Sequence, residues 1–288
     1  ASRTQSATSL ALNEATGTIC SGYNDSYHGV TQGTGYAGFS RSTDGGATFT
    51  GRGSMNNSSC YGDPSIVWRK SDGYFYYATL FGSGLAMWRS TDDCTTFSYL
   101  GMIHSGGGDD KELMAVDNSA ASPYYGRLYC VWTDFGAGQV IRSTYSDNGT
   151  NWSSPVTLTS GSNPQGAWPV IAPNGDVYVS WANGLFTGTM TIVVARSTNG
   201  GGAYSNVTSP AASKVEPRDA AASSNCGRPS LRGNIRYLPS PQIAVGPDGA
   251  VHVVYTYDPD GYNTGDVVDA FYRRSTDSGA TWGTEVRL

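Results

Sequence analysis

The chain has 288 residues and a net charge of −5, with only 14% charged residues but 38 Gly, 19 Tyr and 7 Trp. Mild acidity without a basic run excludes nucleic acid and anionic membrane as expected partners, and no run approaches the roughly 18 apolar residues of a membrane span. Abundant turn formers and aromatics suit a compact all-β scaffold.

In chain order, a unit recurs at intervals of about 50 residues, which is a repeat signature. Each begins with a short apolar run, at residues 10–12, 66–68, 114–116, 170–172 and 243–245. A Gly turn then opens an alternating strand, at 17–23, 73–79, 126–132, 175–181 and 249–255; period-two alternation marks a strand. After a loop and a third strand comes a Ser-x-Asp-x-Gly-x-x-aromatic stretch or a close variant, at 42–49, 90–97, 146–152, 197–204 and 275–282. In that stretch the Asp carboxylate accepts hydrogen bonds from amides two residues on, the Gly supplies positive φ, and the aromatic folds back over the strands. A residue present in every unit does what every unit needs, so these Asp and Asn residues read as structural.

Each unit therefore supplies four strands, and repetition of such units describes an all-β, β-propeller fold of four-stranded antiparallel blades, five in number. The chain reads as one domain over 1–288, with a long loop insertion at about 205–240; a degenerate sixth blade within it is the alternative.

In such blades the Gly turn and the box turn share one edge. The long irregular segments, including 24–35, 51–63, 101–112 and 205–240, fall on the other, where ligands of rigid repeat scaffolds are held. Counting from each Gly places Asp25, Phe81, Asp134, Asn183 and Tyr257 at the ends of the second strands. The same count places Thr8, Asp63, Glu112, Trp168 and Ser240 at the starts of the innermost ones. The acidic members Asp25, Asp63, Glu112 and Asp134, with Asp109, Asp110 and Lys111 nearby, are the candidates for acid/base chemistry. Cleaving a glycosidic bond requires one protonated and one ionised carboxyl. Turn capping or a structural Ca²⁺ is the alternative use of the same carboxylates; no other metal and no cofactor is expected.

Arg228 and Arg232, with Arg236 at the same spacing, suit bidentate capture of a substrate carboxylate. Trp168 and Tyr262 can stack on sugar faces, whereas Trp132 and Trp181 lie within strands and read as core. His28 and His104 occupy rim loops and are candidate bases or substrate contacts.

The five Cys match no zinc spacing. Cys20 and Cys130 sit in strands where a small apolar residue would serve, and Cys60, in a loop, is the one expected to be bridged. Sequons at Asn24, Asn56, Asn57, Asn148, Asn151 and Asn206, and an opening on Ala1-Ser2-Arg3 without a leader, fit a mature secreted chain.

The boxes resemble the Asp-box, or BNR, repeats of the sialidase superfamily, and they cover nearly the whole chain. That resemblance implies a propeller whose boxes face away from the active site, and a secreted protein that cleaves or binds glycans. The chain departs from exo-sialidases. It has no Arg-Ile-Pro segment, and none of the ten ring positions is an arginine. The expectation is a secreted, monomeric carbohydrate-active enzyme, hydrolase or polysaccharide lyase, with His28, His104 or Tyr262 as base in a lyase. A non-catalytic lectin or adhesion module is the alternative.

Overall fold

The computed structural model describes residues 5–160, 163–218, 230–231, 235–261 and 264–288. The first sheet holds β1 (Gln5–Leu12), β2 (Ile19–Asp25), β3 (Ala37–Ser42) and β4 (Thr50–Ser54). The second holds β5 (Cys60–Arg69), β6 (Tyr74–Phe81), β7 (Gly84–Ser90) and β8 (Ser98–His104). The third holds β9 (Asp109–Val116), β10 (Leu128–Asp134), β11 (Val140–Ser146) and β12 (Val156–Ser160). The fourth holds β13 (Gln165–Ile171), β14 (Val177–Asn183), β15 (Thr189–Ser197) and β16 (Ser205–Asn206), with β17 (Ala211–Val215) also paired to β15. A small hairpin of β18 (Ser230–Leu231) and β19 (Ile235–Arg236) precedes the fifth sheet, β20 (Gln242–Val245), β21 (Val251–Tyr257), β22 (Asp269–Ser275) and β23 (Val286–Arg287). These five sheets, each in simple sequential order, are the blades of a β-propeller.

By its contacts the chain divides into two compact units, Ala1–Ala137 with Ser143–Pro155, and Gly138–Arg142 with Val156–Leu288. The first unit buries two clusters, one around Phe39, Trp68, Phe75 and Tyr77 and one around Tyr76, Met87, Leu128 and Trp132. The second buries Tyr178, Ile192, Val253, Tyr255 and Phe271. No helix among the described residues is long and apolar enough to cross a membrane.

The box turns close each blade at the end of its third strand. In the first, the Gly46 amide donates to Ser42 Oγ (2.9 Å), and Asp44 accepts from the Thr48 amide (2.9 Å) and the Thr48 hydroxyl (2.6 Å). Ser90/Asp92/Thr96 and Ser275/Asp277/Thr281 repeat this pattern. In these three boxes the Asp grips a residue four positions on rather than two, so it spans the whole turn. These bonds hold the Asp44 and Asp277 carboxyls down at about 2. Register pairs Ile19 with Ser42 and Asn24 with Ala37, so in the first blade the box lies at the strand ends opposite Asp25.

The cysteine expectation is overturned. Cys20 is bridged to Cys94, while Cys60 and Cys130 are buried thiols; Cys226 lies outside the described residues. Cys94 stands at the Gly position of the second box with φ +62, and from there it reaches the second strand of the preceding blade. Beside it, the Asp93 carboxylate accepts from Asn13 (2.8 Å), Thr18 (2.6 Å) and Arg41 (2.8 Å), all on the first blade. The first two blades are therefore joined covalently and ionically at their turn ends.

The ring alignment made by counting from the Gly turns is also corrected. Register sets Ser9 opposite Gly22, Ser65 opposite Ala78, Leu113 opposite Val131, Trp168 opposite Ser180 and Gln242 opposite Val254. The structural equivalents of Asp63 are thus Ala7, Lys111, Gly166 and Ser240, and those of Glu112 are Thr8, Pro64, Ala167 and Pro241. The count slipped because the Gly turns differ in length.

Loss of the bridge in Cys20→Ala should lower unfolding free energy by about 4 kcal/mol, the loop-closure value for a separation of 74 residues. Chemical denaturation under non-reducing conditions measures it; an unchanged midpoint would show that the bridge does not constrain the unfolded chain.

Candidate functional site

All four acidic candidates lie in the first unit, on the strand ends away from the box turns. Asp63 and Glu112 are placed by a recurring irregularity. The innermost strands β1, β5, β9 and β13 each break register near their starts, and at the break stand Ala7 (φ +49), Asp63 (φ +50), Lys111 (φ +57) and Gly166 (φ +76). A bulge re-aims side chains that regular pairing would fix. Beyond the bulge, neighbouring inner strands are tied by hydroxyls: the Ile66 amide donates to Ser9 Oγ (3.0 Å) and the Met114 amide to Ser65 Oγ (2.9 Å).

Asp63 is held by donors. Asn24 Nδ2 donates to its Oδ1 (2.9 Å), its own amide donates back to Asn24 Oδ1, and Lys111 Nζ lies 3.6 Å from Oδ2. Glu112, the next residue after Lys111, is only 2% exposed, and neither carboxyl oxygen has a hydrogen-bond partner among the described residues. Burial pushes its pKa well above the usual carboxyl range, the charges of Asp63 and Asp110 push the same way, and Lys111 opposes them. The arrangement therefore sets a carboxyl that favours its protonated form near one that is clasped by an amide and an ammonium.

Asp25 and Asp134 hold equivalent positions at the ends of β2 and β10, and both are engaged in turns. Asp25 Oδ1 accepts from the amides of Tyr27 (2.9 Å) and His28 (3.3 Å), and Oδ2 lies 2.7 Å from His28 Nδ1. Together these contacts fix the start of a single π-helical turn, Tyr27–Gln32. Asp134 Oδ1 accepts from the Ala137 amide (2.8 Å). Asp109, opposite Asp134 in the β9/β10 register, lies 2.7 Å from His104 Nδ1, and its side chain is fully buried. Burial raises the Asp109 pKa, the Asp134 charge adds to this, and His104 opposes it.

The other candidates separate. Lys111 joins Asp63, and His28 joins Asp25. Trp168 belongs to the second unit, where it packs half-buried against the hydrophobic core. Trp132 and Trp181 are fully buried core residues. Arg228, Arg232 and Tyr262 lie outside the described residues. Sequence reasoning missed Asn24 as the clasp on Asp63, because its sequon drew attention instead, and it missed the pairing of His104 with Asp109. The only signal for either was position at a strand end beside an acidic residue. Among the described residues no cluster of three or more His, Cys, Asp or Glu has the geometry to hold a metal.

Neither a protein-family model nor a curated protein matches the chain. Solved structures do. The α-L-arabinanase of Penicillium chrysogenum, complexed with arabinobiose, superposes with a TM-score of 0.63 at 14% identity, over 99% of this chain and 81% of that one. The intramolecular trans-sialidase of Ruminococcus gnavus gives 0.62 at 13%, over 99% and 85%. An endo-1,4-β-xylanase of Bacteroides thetaiotaomicron gives 0.53 at 14%, over 98% and 96%. At these identities the likeness is one of fold, which is that of the sialidases and of glycoside-hydrolase propellers.

The site has a thermodynamic signature. Because the folded pKa of Glu112 lies above its unfolded value, the stability tied to its protonated form is complete below the unfolded pKa and is lost as pH rises through the folded one. Glu112→Gln, which cannot ionise, should therefore gain in melting temperature over wild type as pH is raised from about 5 to about 9. A difference that stays constant with pH would contradict the assignment.

Proposed function

We propose that the chain is a secreted enzyme that cleaves a glycosidic bond, with Glu112 as the proton donor and Asp63 as the base or nucleophile. The observation that carries this reading is the buried, unpartnered Glu112 carboxyl in the same acidic cluster as an Asp63 clasped by Asn24 and Lys111. A general acid must hold its proton at working pH and release it to the leaving oxygen; its partner must stay ionised and correctly aimed. Lys111 and Asn24 position Asp63, while Asp25 with His28 and Asp134 shape the adjoining turns from which substrate is contacted. The Cys20–Cys94 bridge fits an oxidising, extracellular setting. A glycan substrate is supported by neighbours named as an arabinanase, a xylanase and a trans-sialidase. The five box turns are read as Asp-box repeats.

Arabinan, xylan and sialyllactose, assayed for new reducing ends, are the substrates to try first. On whichever is cleaved, Glu112→Gln should lower kcat by about 10²- to 10⁴-fold, the usual worth of a positioned acid. Asp63→Asn should cost at least as much. Wild-type rates should fall on the alkaline side as Glu112 loses its proton, in keeping with its raised pKa. Turnover unaffected by both substitutions would remove these roles, and glycan binding without turnover by wild type would make the protein a lectin.

A further inference from the structure

The second unit contains a cleft of about 320 Å³ between the Gly turns of the fourth and fifth blades, at their box ends. The corresponding place between the first two blades is filled. There Asp93, second residue after the box Thr91, crosses to Thr18 and Arg41 of the preceding blade. By position along the repeat, Asp93 corresponds to Ser278, Thr18 to Asp176 and Arg41 to Arg196. Asp93 and Ser278 share the same left-handed backbone, φ +59 and +60. The fifth blade thus carries a short hydroxyl where the second carries a plugging carboxylate. The donor Thr18 is replaced at the equivalent place by the acceptor Asp176, and the arginine that would have received the plugging carboxylate turns to it instead, Arg196 donating through Nη2 (2.6 Å) and Nε (2.9 Å) to Asp176 Oδ2. Between the second and third blades the gap is closed differently, by Arg69 donating to the Gly126 (3.3 Å) and Asp147 (3.0 Å) carbonyls.

We propose that this open cleft is a binding site for a neutral polyol, one or two sugar residues long. Its walls define that chemistry. Asp176 is neutralised by Arg196, and Asp248 by Arg274 at 2.7 Å, so neither a cation nor an anion finds an uncompensated charge. What remains is the hydroxyls of Thr276 and Ser278 and the outward lone pairs of the two carboxylates, with Asn174 bonded to Asp176 through both its amide atoms, beside the apolar rings of Pro173 and Pro247. Sugars are held by this mixture of polar edge contacts and apolar C–H faces. The cleft lies at the strand ends opposite Asn183, on the box side of its blades. It would serve to keep a glycan chain on the protein. The inference rests on the glycan reading above for its biological sense, but not for its test.

That test is an amide-resolved NMR titration of the full chain with xylobiose and arabinobiose. Shifts should include amides around residues 174, 249 and 278, separate from any around residues 63 and 112, and those at 174, 249 and 278 should persist in Glu112→Gln. Ser278→Asp, which restores the plug at a backbone conformation Asp tolerates, should weaken binding at least about tenfold. Thr276→Val, nearly isosteric, should weaken it in the same direction if Ser278→Asp proves poorly folded. Neither should alter turnover of a small soluble glycoside. Absence of shifts at these amides at tens of millimolar disaccharide, or shifts that survive both rim substitutions, would overturn the site. Loss of turnover in Glu112→Gln is read separately, so either proposal can fail while the other stands.

Discussion

The register break near the starts of the inner strands β1, β5, β9 and β13 is the constraint on which the candidate site rests. A regular ladder would send Asp63, Lys111 and their neighbours alternately to the two faces of their blades, to be buried against the next sheet. Inserting one left-handed residue interrupts that alternation, and a non-glycine residue there costs of order 1 kcal/mol. The chain accepts that cost at Ala7, Asp63 and Lys111, and avoids it with Gly166. Where four blades carry the same bulge, the residue placed on it is free to differ, and it differs most between the second and third blades. There a carboxylate and an ammonium face each other across 3.6 Å.

The opposite ends of the blades obey the contrary rule. Their turns are held by hydrogen bonds that amides donate to the Ser and the Asp or Asn of each box, nearly alike in four boxes and shortened by one residue in the third. Cys94 and Asp93 in the second box join it to the first blade. Ser278, in the place corresponding to Asp93, leaves a cleft. Repetition thus supplies stability, and the exceptions to it supply attachment points.

Much of this was legible in the sequence because hairpin chemistry is local. The spacing of the Gly turns and boxes marked the blades, and the strand patterns placed Trp132 and Trp181 in the core. Tertiary features were not legible. The turns between first and second strands vary in length, so counting misaligned Glu112 and Trp168 with Asp63, and only pairing across β5/β6 and β9/β10 set the register. Cys20 looked like a filler because its partner replaces a glycine in the next repeat, where no spacing rule points. Segment 211–215, part of what read as a loop, pairs with β15 because that strand extends beyond β16 and leaves an edge to be covered. The turn-capping duties of Asp25 and Asp134 depend on which way the following backbone folds, which composition does not show.

The proposed chemistry depends on one carboxyl that holds its proton above the ordinary glutamate range. The chain has only four glutamates, Glu14, Glu112, Glu216 and Glu285, so their side-chain carboxyl carbons can be labelled with ¹³C and titrated individually, with Glu112→Gln supplying the assignment. One resonance, missing in that variant, should titrate at a pH well above the ordinary glutamate range. A Glu112 carboxyl that titrates within the ordinary glutamate range would contradict the central claim.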